Sequence, residues 1–374
     1  GPTLASAHTE HDLSLFMQAW RVIEQDYYGQ PLDQGALLRG AIQGLVAATG
    51  DPSCAYLTSD QVAGSDMELD GSLHSLGMAV EKRGDTLVVI APLAASPAQR
   101  AGIHPGDLII RINERDTASL TLGEAISLLR GATGSHVSLT LVRENSGVVT
   151  LTVERGSTPE MLVHGTMLAD GIAYVNISAF SSSTPRQLAA FLQGLDINRL
   201  RGIILDVRNN PGGYLDAAVE VAGCFIPEGT ILTQRGAKGT VTWSYTDGGK
   251  LLIVEGPDGK RVLPVRTPPL AAEVPLVVLV NRGTASAAEV LAAALQDHKR
   301  AVLMGQQTFG KGTVSGDYPL SDGSLIRLTN GQWLSPKGRS VAEIGLTPDI
   351  VVESAQADSQ EILARAMEYR LLMR

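Results

Sequence analysis

Ser286, in VNRGTASAAEVLAAALQ, and Lys311, in TFGKGTV, stand 25 residues apart and are of the types that act together as a nucleophile and its base. The apolar run from Val274 to Val280 leads into a Gly-Thr turn and then an Ala-rich helical stretch, so Ser286 is expected where a buried strand becomes a helix. Backbone N–H groups at a helix start lack intrahelical partners. They favour the negative charge that an acyl-transfer intermediate develops on its oxygen. A free lysine, with a pKa of about 10.4, is almost never neutral at pH 7. Burial disfavours the ammonium and lowers that value by as much as ~3–5 units in apolar sites. The neighbours Phe309, Gly310, Gly312 and Val314 suit such a site, whereas alone Lys311 would read as a surface lysine in a glycine-flanked turn.

A Ser–His–Asp triad is the competing arrangement. Only His298 lies near Ser286 in sequence, and 12 residues along one helix, at ~1.5 Å rise, separate the two by roughly 18 Å. The other six histidines fall before the second half of the chain. No His/Cys/Asp spacing suggests a metal site, and no cofactor is implied. Asn209-Asn210-Pro211-Gly212-Gly213 follows another apolar run, and paired glycines at a strand-to-helix turn let backbone N–H groups face a ligand unobstructed. A tight turn without a catalytic task is the competing reading for either glycine singly.

The elements that must position these residues divide by texture. At 374 residues the chain suggests two or three domains. A net charge of −9, with the acidic residues dispersed, argues against nucleic acid as a partner. Cys54 and Cys224 do not make a disulfide framework. No apolar stretch reaches the 18 or so residues a membrane span needs. The opening Gly1-Pro2 reads as the scar of a removed tag, so an export signal or anchor is expected to lie outside this chain.

Residues 1–70 read as an N-terminal helical region, with two amphipathic helices between 10 and 48, a turn at 50–53 and a loop at 64–72. Over 71–157 short β-like runs at 77–80, 86–90, 108–112 and 137–143 enclose helical pieces at 96–102 and 121–129. Residues 158–355 read as α/β, with strands at 172–177, 202–207, 276–280 and 301–304 alternating with helices at 185–195, 215–224 and 285–297. A Gly-rich stretch, 235–267, suggests hairpins. Residues 356–374 form a C-terminal amphipathic helix that packs on the core or mediates assembly.

The order of elements in 71–157, with AGIHPGDLIIRIN at 101–113, resembles a PDZ domain. Such domains add a C-terminal peptide as a strand to a sheet edge. By resemblance the carboxylate-capture loop is Ser75-Leu76-Gly77-Met78, with Gly77 admitting the carboxylate and Leu76 and Met78 lining an apolar pocket. Along the whole chain, GDPSCAYL, the PDZ-like segment, LDVRNNPGG, NRGTASAAE, TFGKG, WLSPKG and IGLTPD follow one another as in the carboxyl-terminal processing peptidases, or tail-specific proteases.

That resemblance implies a multidomain α/β protein: a crotonase-like protease core with an inserted PDZ domain and an N-terminal helical region. It further implies Ser286 as nucleophile, Lys311 as general base, and oxyanion donors at Gly212 or Gly213 and at Ala287. Where the family carries a glutamine four residues beyond the lysine, this chain has Ser315, a shorter residue that can still hydrogen-bond. Trp333 to Gly338 and Gly345 to Asp349 read as scaffold, and Arg130 as a link between the PDZ unit and the core. The implied activity is endoproteolysis near the C-terminus of protein substrates with free apolar C-termini, in the bacterial envelope or periplasm, by a chain that can form homo-oligomers. A PDZ-containing binding or scaffold protein with little turnover is the alternative, and an apolar small-ligand carrier a third reading.

Overall fold

The computed structural model describes residues 5–29, 31–62, 74–144, 146–157, 161–265, 269–352 and 360–372. Two compact units, 1–49 and 50–374, are described in turn. In the first, α1 (Ala5–Asp26) and α2 (Gln34–Ala47) are the two helices expected from the apolar spacing. Phe16 and Trp20, one turn apart on α1, form a tilted ring pair with centroids 6.1 Å apart. The Asp33 carboxylate accepts the Ala36 N–H at 3.0 Å and so caps α2. Gln34 Nε2 donates to Glu24 at 2.7 Å, joining the two helices.

The second unit opens with β1 (Ala55–Leu57), a buried strand from GDPSCAYL that joins a large core sheet by pairing with residues 325–327. The stretch 1–70 is therefore not helical throughout, because Ala55, Tyr56 and Leu57 bury their side chains in a sheet of the other unit. The expected loop at 64–72 lies outside the described residues.

Next come β2 (His74–Ser75), β3 (Met78–Arg83), β4 (Thr86–Pro92), α3 (Pro97–Arg100), β5 (Leu108–Ile112), β6 (Arg115–Asp116), α4 (Leu122–Leu129), β7 (His136–Arg143), β8 (Gly147–Glu154) and β9 (Gly156–Ser157). One sheet runs in the order β3-β4-β5-β7-β8, with β6 on β5, and β2 pairs with β9. Inward-facing residues of its strands, among them Leu87, Val89, Ile109, Leu139 and Leu141, with Ile112 brought to the same face past an irregularity between Ile109 and Arg111, bury in one cluster with Ala125 and Leu129 of α4. Thr121 and Glu124 close a reciprocal capping box that starts α4. Strand β8 was not expected, because it is an edge strand with a single buried residue, Val153, and carries a weak hydrophobic signal.

The remainder comprises β10 (Val163–Met167), β11 (Ile172–Ile177), α5 (Thr184–Gln193), β12 (Gly202–Asp206), α6 (Leu215–Gly223), β13 (Gly229–Gly236), β14 (Gly239–Thr246), β15 (Leu251–Gly256), β16 (Gly259–Pro264), β17 (Leu276–Val280), α7 (Ala287–Asp297), β18 (Ala301–Gly305), β19 (Thr313–Pro319), β20 (Leu325–Leu334), β21 (Ile350–Val351) and α8 (Gln360–Leu372). A six-stranded sheet runs β10-β11-β12-β17-β18-β21, parallel from β11 onward. Its central strands β12 and β17 are buried at every position because both faces are covered, and apolar throughout apart from Asp206 at the end of β12. Leu205 and Val278 face α5, α6 and α7, while Ile204, Val277 and Leu279 face Ile362 and Ala366 of α8. The C-terminal helix thus packs on the core. The Gly-rich stretch forms the antiparallel run β13-β14-β15-β16, which joins β1 through β20, with β19 also on β20. Because β12 and β17 are parallel neighbours, the turns that follow them emerge side by side, at the strand ends where open α/β sheets place their clefts.

Candidate active site

Three turns meet at that edge and are laced by hydrogen bonds. After β12, Asn209 N–H donates to Asn281 Oδ1 at 2.9 Å, and after β17, Asn281 Nδ2 returns a bond to Asn209 Oδ1 at 2.8 Å. Ala285 N–H donates to the Asn210 carbonyl at 2.9 Å, and Phe309 N–H, in the third turn, donates to the Thr284 carbonyl at 3.0 Å. Side-chain amides thus satisfy backbone groups in turns that carry no regular ladder.

Ser286 sits at the N-cap of α7 with φ 55 and ψ −121, a backbone conformation that costs a non-glycine residue about 1–3 kcal/mol. The surroundings enforce it. Glu289, one helical turn on and fully buried, accepts the Ser286 N–H at 2.9 Å. Its carboxylate also accepts Gly310 N–H at 2.8 Å, Lys311 N–H at 2.9 Å and the Thr308 hydroxyl. One side chain therefore holds the serine turn and the lysine turn together. Burial pushes its carboxyl above the usual range, and the four donors pull the other way.

Gly212 and Gly213 have φ 102 and 134, which favours glycine at both. A Cβ on Gly212 would lie 2.7 Å from the Ser286 Cβ, and one on Gly213 would lie 2.0 Å from the Phe180 carbonyl oxygen. Their N–H groups differ. Gly212 N–H donates to Asn210 Oδ1 at 2.9 Å, whereas those of Gly213 and Ala287 have no hydrogen-bond partner among the described residues.

Lys311 is fixed through its main chain: its N–H goes to Glu289, and its carbonyl accepts Trp333 Nε1 at 2.9 Å. The WLSPKG segment therefore supports the lysine directly. IGLTPD supports the same turn, since Thr308 N–H donates to the Leu346 carbonyl at 3.1 Å and the Leu346 N–H to the Thr308 hydroxyl at 2.7 Å. Burial pushes the Lys311 amine below the ordinary lysine range; Glu81 opposes that, Arg327 and Arg83 reinforce it, and Glu289 opposes it. Its Nζ stands 3.9 Å from Glu81 Oε1, on β3. No hydrogen bond joins the Ser286 hydroxyl to Nζ among the described residues.

Ser315 lies exposed on β19 opposite Thr329, and its hydroxyl makes no hydrogen bond among the described residues. His298 caps the far end of α7, where Nε2 meets the Thr230 carbonyl at 2.7 Å, so it takes no part at Ser286. Arg130 Nη1 donates to the Gln61 carbonyl at 3.1 Å. The sheet that carries β3 reaches the lysine turn through Glu81 and Arg83. In the expected capture loop Leu76 is buried, Met78 packs against the same apolar cluster, and Gly77 has φ 64. No metal-ligand cluster occurs among the described residues.

Two residues escape a sequence reading. Glu289 follows Ser286 in the S-x-x-E spacing of a capping box, which is a signal that could have found it. Glu81 offers none, since 230 residues separate it from Lys311.

A family model described as Peptidase family S41 matches residues 171–352, and one described as PDZ domain matches 88–143. The carboxy-terminal processing protease CtpA of Bacillus subtilis is 33% identical over 336 residues, covering 90% of this chain and 68% of that protein. The chain belongs to the carboxyl-terminal processing proteases of peptidase family S41. A carboxyl-terminal-processing protease of Synechocystis sp. is 33% identical over 356 residues, covering 93% of this chain and 79% of that one. Among solved structures, the photosystem II D1 C-terminal processing protease superposes with a TM-score of 0.72 at 27% identity, covering 94% of this chain and 96% of that one. The protein is thus a serine-type peptidase of the processing class that carries a PDZ domain, and it acts on protein substrates. Among the described residues no helix is long and apolar enough to cross a membrane.

Proposed function

We propose that Ser286 is the nucleophile and Lys311 the general base of this peptidase, with Gly213 and Ala287 as oxyanion donors. The observation that carries the reading is the Glu289 carboxylate, which accepts the Ser286 and Lys311 N–H groups at once and so fixes the two turns side by side. Lys311 takes the hydroxyl proton as Oγ attacks the scissile carbonyl. The oxyanion forms beside the two unpartnered N–H groups, while Gly212 leaves room for Ser286 rather than donating. As the intermediate collapses, the lysine returns the proton to the leaving amine, and a water activated by the same lysine then hydrolyses the acyl-enzyme.

In this reading residues 71–157 are the PDZ domain and recognise a free, apolar substrate C-terminus. Its support is that β3 is an edge strand of its sheet, and that the proposed capture loop leads into its N-terminal end over buried Leu76. Residues 158–355 are the protease core and 356–374 its C-terminal helix. The bacterial relatives support a place in the cell envelope. The exposed Leu13, Phe16 and Ile23 of α1 support homo-oligomers.

An alkyl fluorophosphonate tests the dyad, since attack by Oγ forms a P–O bond and expels fluoride. Intact-mass analysis should show one adduct, on Ser286, that disappears in Ser286→Ala and forms at least ~100-fold more slowly in Lys311→Ala. An adduct that persists in Ser286→Ala would refute the assignment.

A further inference from the structure

Strand β3 alternates its side chains, and the positions turned toward the domain's own core run Met78, Val80, Lys82. Met78 and Val80 are half-buried and pack on the same apolar cluster as Leu122 and Leu128 of α4, so an apolar strip lies between the sheet edge and the helix. Lys82 breaks that pattern. It is only 7% exposed, and burying an amine is costly unless every donor finds an acceptor. Its ammonium meets that condition with main-chain carbonyls alone: Nζ donates to Thr117 at 2.9 Å, to Ala118 at 3.0 Å and to Leu120. These acceptors use all the N–H bonds that a lysine has.

The segment on which Lys82 closes is itself fixed. The Thr117 hydroxyl donates to the Ile109 carbonyl at 2.6 Å and its N–H to the Ile110 carbonyl at 3.1 Å, both on β5. Ala118 N–H donates to Asp116 Oδ1 at 2.8 Å. Leu120 immediately precedes Thr121, whose capping box starts α4. The lysine therefore ties the edge strand to the start of the helix that packs on the same cluster, and the tie crosses the strip at the end away from Gly77. Gly77 and Lys82 stand five residues apart, roughly 16 Å of strand at ~3.3 Å per residue.

We propose that Lys82 is a strut that ends the tail groove: a positioning residue that holds α4 against β3 and limits recognition to about the last five residues of a substrate. A strand that adds along β3 with its carboxylate at the capture loop passes Met78 and Val80 first, where apolar side chains find apolar partners. It then reaches a lysine whose donors are all committed. Residues beyond that point gain neither an apolar floor nor a free donor. The domain thus reads a short apolar tail and is indifferent to the sequence upstream of it. This inference rests on the reading of residues 71–157 as the domain that recognises substrate tails.

Peptides of about three to ten residues with a free apolar C-terminus test it, titrated by fluorescence anisotropy into the full chain carrying Ser286→Ala so that none is cleaved. Affinity should rise with length to about five residues and stay within about twofold beyond. Adding Lys82→Met puts an apolar side chain of similar length in place of the strut. The five-residue peptide should then bind roughly tenfold more weakly, as α4 loses its tie, and apolar residues upstream of the fifth should add affinity. Affinity that keeps rising past five residues with Lys82 in place would overturn the strut and leave tail recognition standing. So would a Lys82→Met chain that keeps the original plateau, or one that loses affinity equally at every length, as from a side chain that only stabilises the domain. Equal binding of C-terminally amidated peptides would instead overturn tail recognition itself, and the strut with it.

Discussion

At the scale of single residues, the site depends on positions where one atom decides. Ser286 is held at φ 55 by its neighbours, so glycine there relieves strain that alanine keeps. Ser286→Gly and Ser286→Ala should both be inactive, and the glycine variant should be the more stable by about 1 kcal/mol, read from melting temperatures. Gly212→Ala would set a methyl against the Ser286 Cβ, and should lower kcat by at least ~100-fold with the fold retained in circular dichroism. Glu289→Gln replaces one acceptor oxygen with a donor facing donors, leaving buried N–H groups unpaired. It should cost about 1–3 kcal/mol of stability and lower kcat far more than it changes KM. Ser315 is exposed and its hydroxyl makes no hydrogen bond among the described residues, so Ser315→Ala should leave the rate within about twofold in a steady-state assay. A large fall would instead make its hydroxyl a partner of the lysine.

At the scale of elements, the central strands β11, β12, β17 and β18 and the helices α5, α6 and α7 are legible in the sequence, because strands buried on both faces leave unbroken apolar runs that alternate with helical spacing. The serine, the lysine and the paired glycines are legible too, since each lies in a small-residue turn after a strand or in a Gly-Lys-Gly pattern. Strand β8 is less so, having one buried residue, and β1 hides in a segment whose partner lies 270 residues downstream. The choice between Gly212 and Gly213 waits on which N–H the Asn210 side chain takes, a matter of three dimensions. Asp297, at the end of α7, holds the turn after β20 in the same long-range way. Its buried carboxylate accepts Lys337 N–H at 2.9 Å and pairs with Arg339. Burial alone would raise its pKa, but bonds from Ser335 and Lys337 and the Arg339 charge hold it below the usual carboxylate range. A depressed folded pKa gives stability that is present above the unfolded value, about 3.9, and is lost as pH falls through the folded one. Asp297→Asn should therefore cost about 1–3 kcal/mol at pH 7, a deficit that shrinks below about pH 4 in denaturant titrations.

At the scale of the whole molecule, the family fold supplies a peptidase core whose catalytic turns emerge from parallel strands, and a PDZ domain that reaches both turns. In the proposed reading, recognition of a substrate tail belongs to the same domain that places Glu81 near Lys311. Amidation of a substrate's C-terminal carboxylate should lower kcat/KM by roughly tenfold or more, because the backbone donors of the capture loop lose their charged acceptor. The central claim, a Ser286–Lys311 peptidase, is tested most directly by mass spectrometry of an unfolded protein with a free apolar C-terminus, incubated with the wild type, Ser286→Ala and Lys311→Ala. The account predicts C-terminal fragments from the wild type alone; the same fragments from Ser286→Ala would contradict it.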